Sequence, residues 1–249
     1  PGVATKDIIL HIIGTIKADG ALYKSVEFHG DPFMEFSFDS RFTFANMSVE
    51  MGAKNGYIPP NDKVLDFVSS RARQKFEPVY PDDDAKYERE LEFDLDKLSP
   101  QVACPHTVDN VHPIEETKGE KINMAFLGTC CNARLEDLKI AADIVRGKKV
   151  APGVRFQITP ASQLVYLQAV KEGIVETLID AGGYVTNSNC GPCLGAHMGV
   201  PAKDEKIIST ANRNFRGRMG NRDSFVYLAS PATVAASALK GEIADFREL

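Results

Sequence analysis

Ile122-Asn123-Met124-Ala125-Phe126-Leu127-Gly128-Thr129-Cys130-Cys131-Asn132 decides how the fold is read. An apolar run stops at a glycine, and a thiol follows two residues later. A short apolar run bounded by a turn residue reads as a buried strand. Leu135, Leu138, Ala142 and Val145 then recur at helical spacing, and Gly147 ends the pattern, so a helix is expected over about 135–146. The rhythm continues with strands expected at Val154–Thr159, near Tyr184-Val185, at Ile207-Ile208-Ser209 and at Val226-Tyr227-Leu228. Helices are expected at about 161–172 and 174–181, and a closing one from Pro231 to Lys240. Alternating strands and helices predict an α/β fold. Ligands in an open α/β sheet bind at the carboxyl ends of its strands, where both thiol loops of this chain fall.

The second thiol loop is Asn189-Cys190-Gly191-Pro192-Cys193-Leu194-Gly195, and a basic segment, Asn212-Arg213-Asn214-Phe215-Arg216-Gly217-Arg218, follows it. Five cysteines, at positions 104, 130, 131, 190 and 193, are an odd count in a chain with no signal peptide or long apolar run, which argues against a disulfide framework. Thiols in a reducing compartment more often bind metal or do chemistry. Cys190 and Cys193 admit four readings. Structural zinc takes four protein ligands, so Cys131, Cys104 or His197 would have to complete the set. A thioredoxin-type redox pair sits after an early strand at the start of a helix, whereas this pair is late in a chain without tryptophan. Inert buried cysteines are the third. The fourth is an iron–sulfur cluster held by Cys130, Cys190 and Cys193, where three thiolates instead of the usual four leave one iron open to substrate. Arginine forks nearby suit carboxylates, so the pattern suggests a metal-centred site for an anionic substrate.

The chain has 249 residues, is 43% hydrophobic and carries a net charge of −5. That length allows two cored domains, and the acidity gives no bulk attraction to nucleic acid. A basic loop with Phe215 inside it could bind RNA, but the overall charge opposes this. No membrane span or targeting segment is visible, so a soluble, cytoplasmic protein is expected, and Pro1 in place of methionine suggests processing or truncation. Ile8, Ile9, Ile12, Ile13 and Ile16 share one face of a helix expected over about 5–17, with Thr5 as its cap. Asn46 and Glu50, four apart in a short helical stretch, project together. A helix is expected at about 61–73 with Asn61 or Asp62 as cap, and Leu91, Phe93 and Leu95 alternate like a strand. Asp82-Asp83-Asp84 reads as a solvated loop, Pro100 to Pro113 as a linker, and the division between domains 1–115 and 116–249 is placed near residue 115.

Gly-Thr-Cys-x-Asn at 128–132, Cys-Gly-Pro-Cys at 190–193 and Asn-Arg-Asn-Phe-x-Gly-Arg at 212–218 together resemble the aconitase superfamily, most closely the separate large subunit of isopropylmalate and homoaconitate dehydratases. Val26-Glu27-Phe28-His29-Gly30 and Asn46-Met47-Ser48-Val49-Glu50-Met51-Gly52-Ala53 resemble family blocks in the same order, so the similarity covers nearly the whole chain. The resemblance implies three-layer α/β domains with mixed sheets. It implies a [4Fe-4S] cluster on Cys130, Cys190 and Cys193, with Asn46 and Asn212 beside it. Glu50 would reach the iron-bound oxygen, and Arg213 and Arg218 would hold carboxylates of a di- or tricarboxylic hydroxy acid. Arg216 and Arg222 receive no role, Cys131 departs from the usual threonine, and Cys104 and His29 are expected to be structural. The reaction implied is a reversible dehydration and rehydration. The family's opening domain, with further acid/base residues, and its small swivelling subunit, with a serine base and an arginine loop, have no counterpart here. The segment 241–249 resembles a large-subunit terminus. The expectation is part of a large chain, inactive alone, with a separate small subunit as partner. A non-catalytic iron–sulfur or zinc sensor module is the alternative from another class.

Overall fold

The computed structural model describes residues 2–249; Pro1 lies outside the described residues. In chain order the elements are α1 (Thr5–Ile16), β1 (Ser25–Glu27), α2 (Asp31–Glu35), α3 (Phe38–Met47), β2 (Asn55–Tyr57), α4 (Asp62–Ser69), β3 (Gln101–Ala103), β4 (Val111–Pro113), α5 (Ile114–Thr117), β5 (Met124–Leu127), α6 (Leu135–Val145), β6 (Arg155–Ile158), α7 (Gln163–Lys171), α8 (Ile174–Asp180), β7 (Tyr184–Val185), β8 (Lys206–Ser209), β9 (Phe225–Leu228) and α9 (Pro231–Lys240). Three short 3₁₀ turns, Ser48–Met51, Gly191–Leu194 and Phe246–Glu248, complete the set.

The main sheet has seven strands in the order β4-β3-β9-β8-β5-β6-β7, while β1 and β2 form a separate parallel pair. Strands β9, β8, β5, β6 and β7 run parallel; β3 is antiparallel to β9 and β4 to β3. Along a strand successive side chains take opposite faces. Met124, Phe126, Ile207, Val226 and Leu228 accordingly enter one core, with Ile8, Ile9 and Ile13 of α1 and Phe44 and Met47 of α3. Ala125, Leu127 and Ile208 enter the other, with Leu138 and Ala142 of α6, Leu178 of α8 and Val234 and Ala238 of α9. The result is a three-layer α/β structure with a mixed sheet, in which both faces of the central strands are buried, the reason those strands read as unbroken apolar runs.

The C-terminal elements fall close to where the sequence puts them. Four N-terminal expectations are corrected. The cap of α1 is Ala4, not Thr5, and its amide donates to the Asp7 carboxylate at 2.8 Å. Helix α4 ends at Ser69, with Asn61 as its capping acceptor from Val64 at 3.2 Å. Leu91 to Leu95 form no strand, because no neighbouring chain offers them a ladder: β1 and β2 pair only with each other, and only Phe93 and Leu95 lean on the core. The segment read as a linker instead contains β3 and β4. Val102 and Ala103 are fully buried, one on each face of the sheet. These strands, which precede residue 115, extend the sheet built after it. Among the described residues no helix is long and apolar enough to cross a membrane.

Candidate metal centre and active site

The parallel strands all deliver their exit loops to one edge of the sheet, and the thiols and arginines ride on those loops. After β5 the chain turns through Gly128, Thr129 and Cys130. Thr129 takes φ +82°, a conformation that a β-branched residue rarely adopts and that marks a site held by its surroundings. Its hydroxyl accepts the Cys131 amide at 3.3 Å. Cys130 is exposed, while Cys131 is fully buried and packs in the core beneath, where burial pushes its thiol up to about 11.

After β7 the chain reaches Cys190, which is exposed and caps the 3₁₀ turn Gly191–Leu194; Cys193 is half-buried within that turn. The pair opens this single turn and not a longer helix, unlike the thioredoxin-type arrangement. Gly195 follows with φ +75°, and a Cβ there would lie 2.3 Å from the Gly220 amide nitrogen, so the second thiol loop rests directly on the turn that ends the arginine segment.

After β8 come Thr210, Ala211, Asn212 and Arg213. The Thr210 hydroxyl accepts from the Gly128 amide at 2.9 Å and donates to the Gly128 carbonyl at 2.8 Å, joining the first thiol loop to the arginine segment. Helix α3 then closes the site. Its last turn offers Asn46, whose amide nitrogen lies 3.9 Å from Cys130 Sγ and whose carbonyl accepts from Asn212 Nδ2. Glu50, in the turn after α3, is 8% exposed and accepts Arg213 Nε on both carboxylate oxygens, at 2.8 and 2.9 Å. Burial holds the Glu50 carboxyl above the usual carboxylate range, and the Arg213 guanidinium opposes that shift. Arg218 Nη2 lies 3.7 Å from Cys193 Sγ. Helix α3 is anchored over the first thiol loop because Ser37 and Ser40 donate to Glu136 at 2.6 and 2.8 Å and Asn132 donates to Thr43 at 3.2 Å.

Asn46 therefore touches Cys130 and Asn212, Glu50 touches Arg213, and Arg218 touches Cys193, while Cys190 shares the turn of Cys193. Among the described residues no three His, Cys, Asp or Glu side chains come together tightly enough to hold one ion. Tetrahedral zinc, which needs four donors at one point, is not matched. The donor chemistry fits a thiolate-bound cluster better: three soft sulfurs, two of them met by N–H donors from Asn46 and Arg218. Arg218 Nε, Ser188 Oγ and Asn132 Oδ1 are buried beside these loops with no protein partner.

His29 is exposed and lies outside this group, hydrogen-bonded to Glu27 at 3.0 Å. Cys104 packs at the edge of the other core with its thiol pushed up by burial to about 11. Arg216 and Arg222 are exposed. Two residues escaped the sequence reading. One is Thr210. The other is Lys6 of α1, 0% exposed, whose ammonium donates to the main-chain carbonyls of Thr210 at 3.1 Å and Ala211 at 2.8 Å. A charged residue inside an otherwise isoleucine-rich stripe was the only signal for it.

A three-layer mixed sheet with thiols and arginines at its carboxyl edge has a known family. The chain belongs to the Aconitase family (aconitate hydratase), whose profile matches residues 1–121 and 115–241. It is 50% identical over 246 residues to 3-isopropylmalate dehydratase large subunit 1 of Methanopyrus kandleri, covering 99% of this chain and 59% of that protein. It is 52% identical over 247 residues to the probable methanogen homoaconitase large subunit of Methanosarcina mazei, covering 99% and 62%. With the 3-isopropylmalate dehydratase large subunit of Clostridium beijerinckii the identity is 50% over 243 residues, covering 98% and 58%. The chain thus spans about three-fifths of the length of these relatives.

Proposed function

We propose that this chain supplies the cluster-binding part of the large subunit of a hydro-lyase that isomerises a malate-type hydroxy acid, such as isopropylmalate or homocitrate, by dehydration and rehydration. The observation that carries the reading is the pair of bridges from the end of α3: Asn46 to Cys130 and Asn212, and Glu50 to Arg213. Segments 1–115 and 116–249, expected as two domains, then contribute to one site, the first through Asn46 and Glu50 and the second through the thiols and arginines.

Cys130, Cys190 and Cys193 would hold a [4Fe-4S] cluster, which when bound supplies a Lewis acid at the iron that no thiolate claims. Arg218 and Asn46 direct N–H groups at the sulfurs of Cys193 and Cys130. Arg213 uses Nε on Glu50, which leaves its two terminal nitrogens for a substrate carboxylate in bidentate geometry. Arg218 serves a second carboxylate. Glu50, with its carboxyl raised by burial, holds a proton at a carboxylate oxygen closer to neutral pH than an exposed glutamate does. Asn212 and Asn46 orient one another and so fix the distance between α3 and the arginine segment. The reading carries with it a separate small subunit as partner, a place in amino-acid biosynthesis such as the leucine branch, and a cytoplasmic location.

The test is anaerobic reconstitution of the chain with iron and sulfide, followed by addition of a small subunit and a panel of hydroxy acids. The expected result is a brown protein whose visible absorbance and iron content drop when Cys130, Cys190 or Cys193 becomes serine. Ultraviolet absorbance of an unsaturated acid should appear once the small subunit and the rest of the large subunit are present. A colourless product indifferent to all three cysteine changes sinks the proposal.

A further inference from the structure

Lys6 has no part in the reading above, yet it is the costliest residue to bury in the chain's first core. Its ammonium is fully enclosed, and among the described residues no carboxylate forms an ion pair with it. Enclosing an ammonium without a carboxylate partner carries a desolvation penalty, whereas a methionine would fill similar space without it. What the charge gains is specific. It binds the carbonyls of Thr210 and Ala211, the two residues that precede Asn212 and Arg213. Thr210 is itself locked to Gly128, two residues ahead of Cys130. Burial pushes the Lys6 ammonium below the usual lysine range, and Cys131, Glu50, Asp137 and Cys193 at longer range oppose that shift.

We propose that Lys6 is a positioning residue: its side-chain nitrogen fixes the main chain at Thr210–Ala211 and so sets Asn212 and Arg213 against Asn46 and Glu50. Only the substrate arm of this proposal rests on the hydro-lyase reading. Lys6 touches neither sulfur nor substrate; it acts through the strand exit it holds. Donors on two adjacent carbonyls restrain both peptide planes, which an apolar side chain at that position cannot do.

The experiment compares the chain with Lys6→Met and Lys6→Gln by amide hydrogen exchange. In Lys6→Met, exchange over residues 209–214 should accelerate about tenfold or more while residues 155–171 keep their rates, because the restraint removed is local. Lys6→Gln, whose shorter side chain keeps N–H donors, should fall between. In the enzyme assembled with its small subunit, Lys6→Met should raise KM for 2-isopropylmalate about tenfold and change kcat less than about threefold, since a misaligned Arg213 weakens carboxylate binding in ground and transition states alike. Unchanged exchange over 209–214 in both variants overturns the proposal. Equal acceleration throughout the chain also overturns it, because it makes Lys6 an ordinary core residue. If the unmodified enzyme turns over no hydroxy acid, the functional reading fails while the exchange measurement still decides the role of Lys6.

Discussion

Glu50 is nearly closed off from water, and its carboxylate meets a guanidinium that is itself about two-fifths exposed. Removing the cation leaves the carboxylate desolvated and alone. Arg213→Met should therefore lower stability by about 1–2 kcal/mol in urea denaturation, below the range for fully enclosed pairs because water still reaches the arginine side. Glu50→Gln should keep the fold, since the amide oxygen still accepts from Arg213, and should cut kcat of the assembled enzyme by about 100-fold or more. Loss of fold in Glu50→Gln, or full activity, removes Glu50 from proton handling. The thiols, Asn46 and Glu50 could be picked out in the sequence because each sits in a short block with distinctive neighbours. Lys6 could not. Its worth depends on carbonyls more than two hundred positions away, and a lysine near a helix start reads as solvated unless the far strand is known.

At the scale of elements, the second thiol loop and the arginine segment touch backbone to backbone. Gly195 combines a left-handed φ with a Gly220 nitrogen where its Cβ would be. Gly195→Ala should cost about 2 kcal/mol or more and loosen the Cys190–Cys193 turn, detectable as a lower denaturation midpoint and faster alkylation of Cys193. An alanine variant with unaltered midpoint and alkylation rate contradicts that contact. Elements after residue 120 were readable from the sequence because strands buried on both faces give largely apolar runs, several of them bounded by glycine or proline. The short strands β3 and β4 were hidden: three residues apiece carry too little pattern, and the prolines around them read as linker. Leu91 to Leu95 erred the other way. Alternation alone made a strand of a segment that finds no partner, and a ladder needs two sides.

For the whole molecule, buried acids set the response to pH. Burial raises Asp137 to about 7 and Asp7 to about 6. In the unfolded chain both release their protons near pH 4, so between about pH 4 and about pH 7 the folded state holds protons that the unfolded state has lost. Stability from these two groups is therefore full at acid pH and declines as pH rises through that window. Asp245, Glu205 and Glu115, held down by arginines, act in the opposite sense at lower pH. Urea midpoints should fall from pH 5 to about pH 7, and Asp137→Asn should flatten that slope; a midpoint that climbs steadily over the range contradicts the assignment.

The α/β character was anticipated by alternation in the second half, and the three layers by the family resemblance. That the first half covers one face of the sheet was not, because α1 packs on β3 and β4, which the sequence reads as linker, and shares its core with strands further along. This has a consequence for how the chain is made. The apolar side of α1 is synthesised before β3 and β4, on which it packs, and well before the central strands that complete that layer. Ile8, Ile9, Leu10 and Ile13 then await partners while those strands are made, so the nascent polypeptide is a natural client for chaperones that shield such patches.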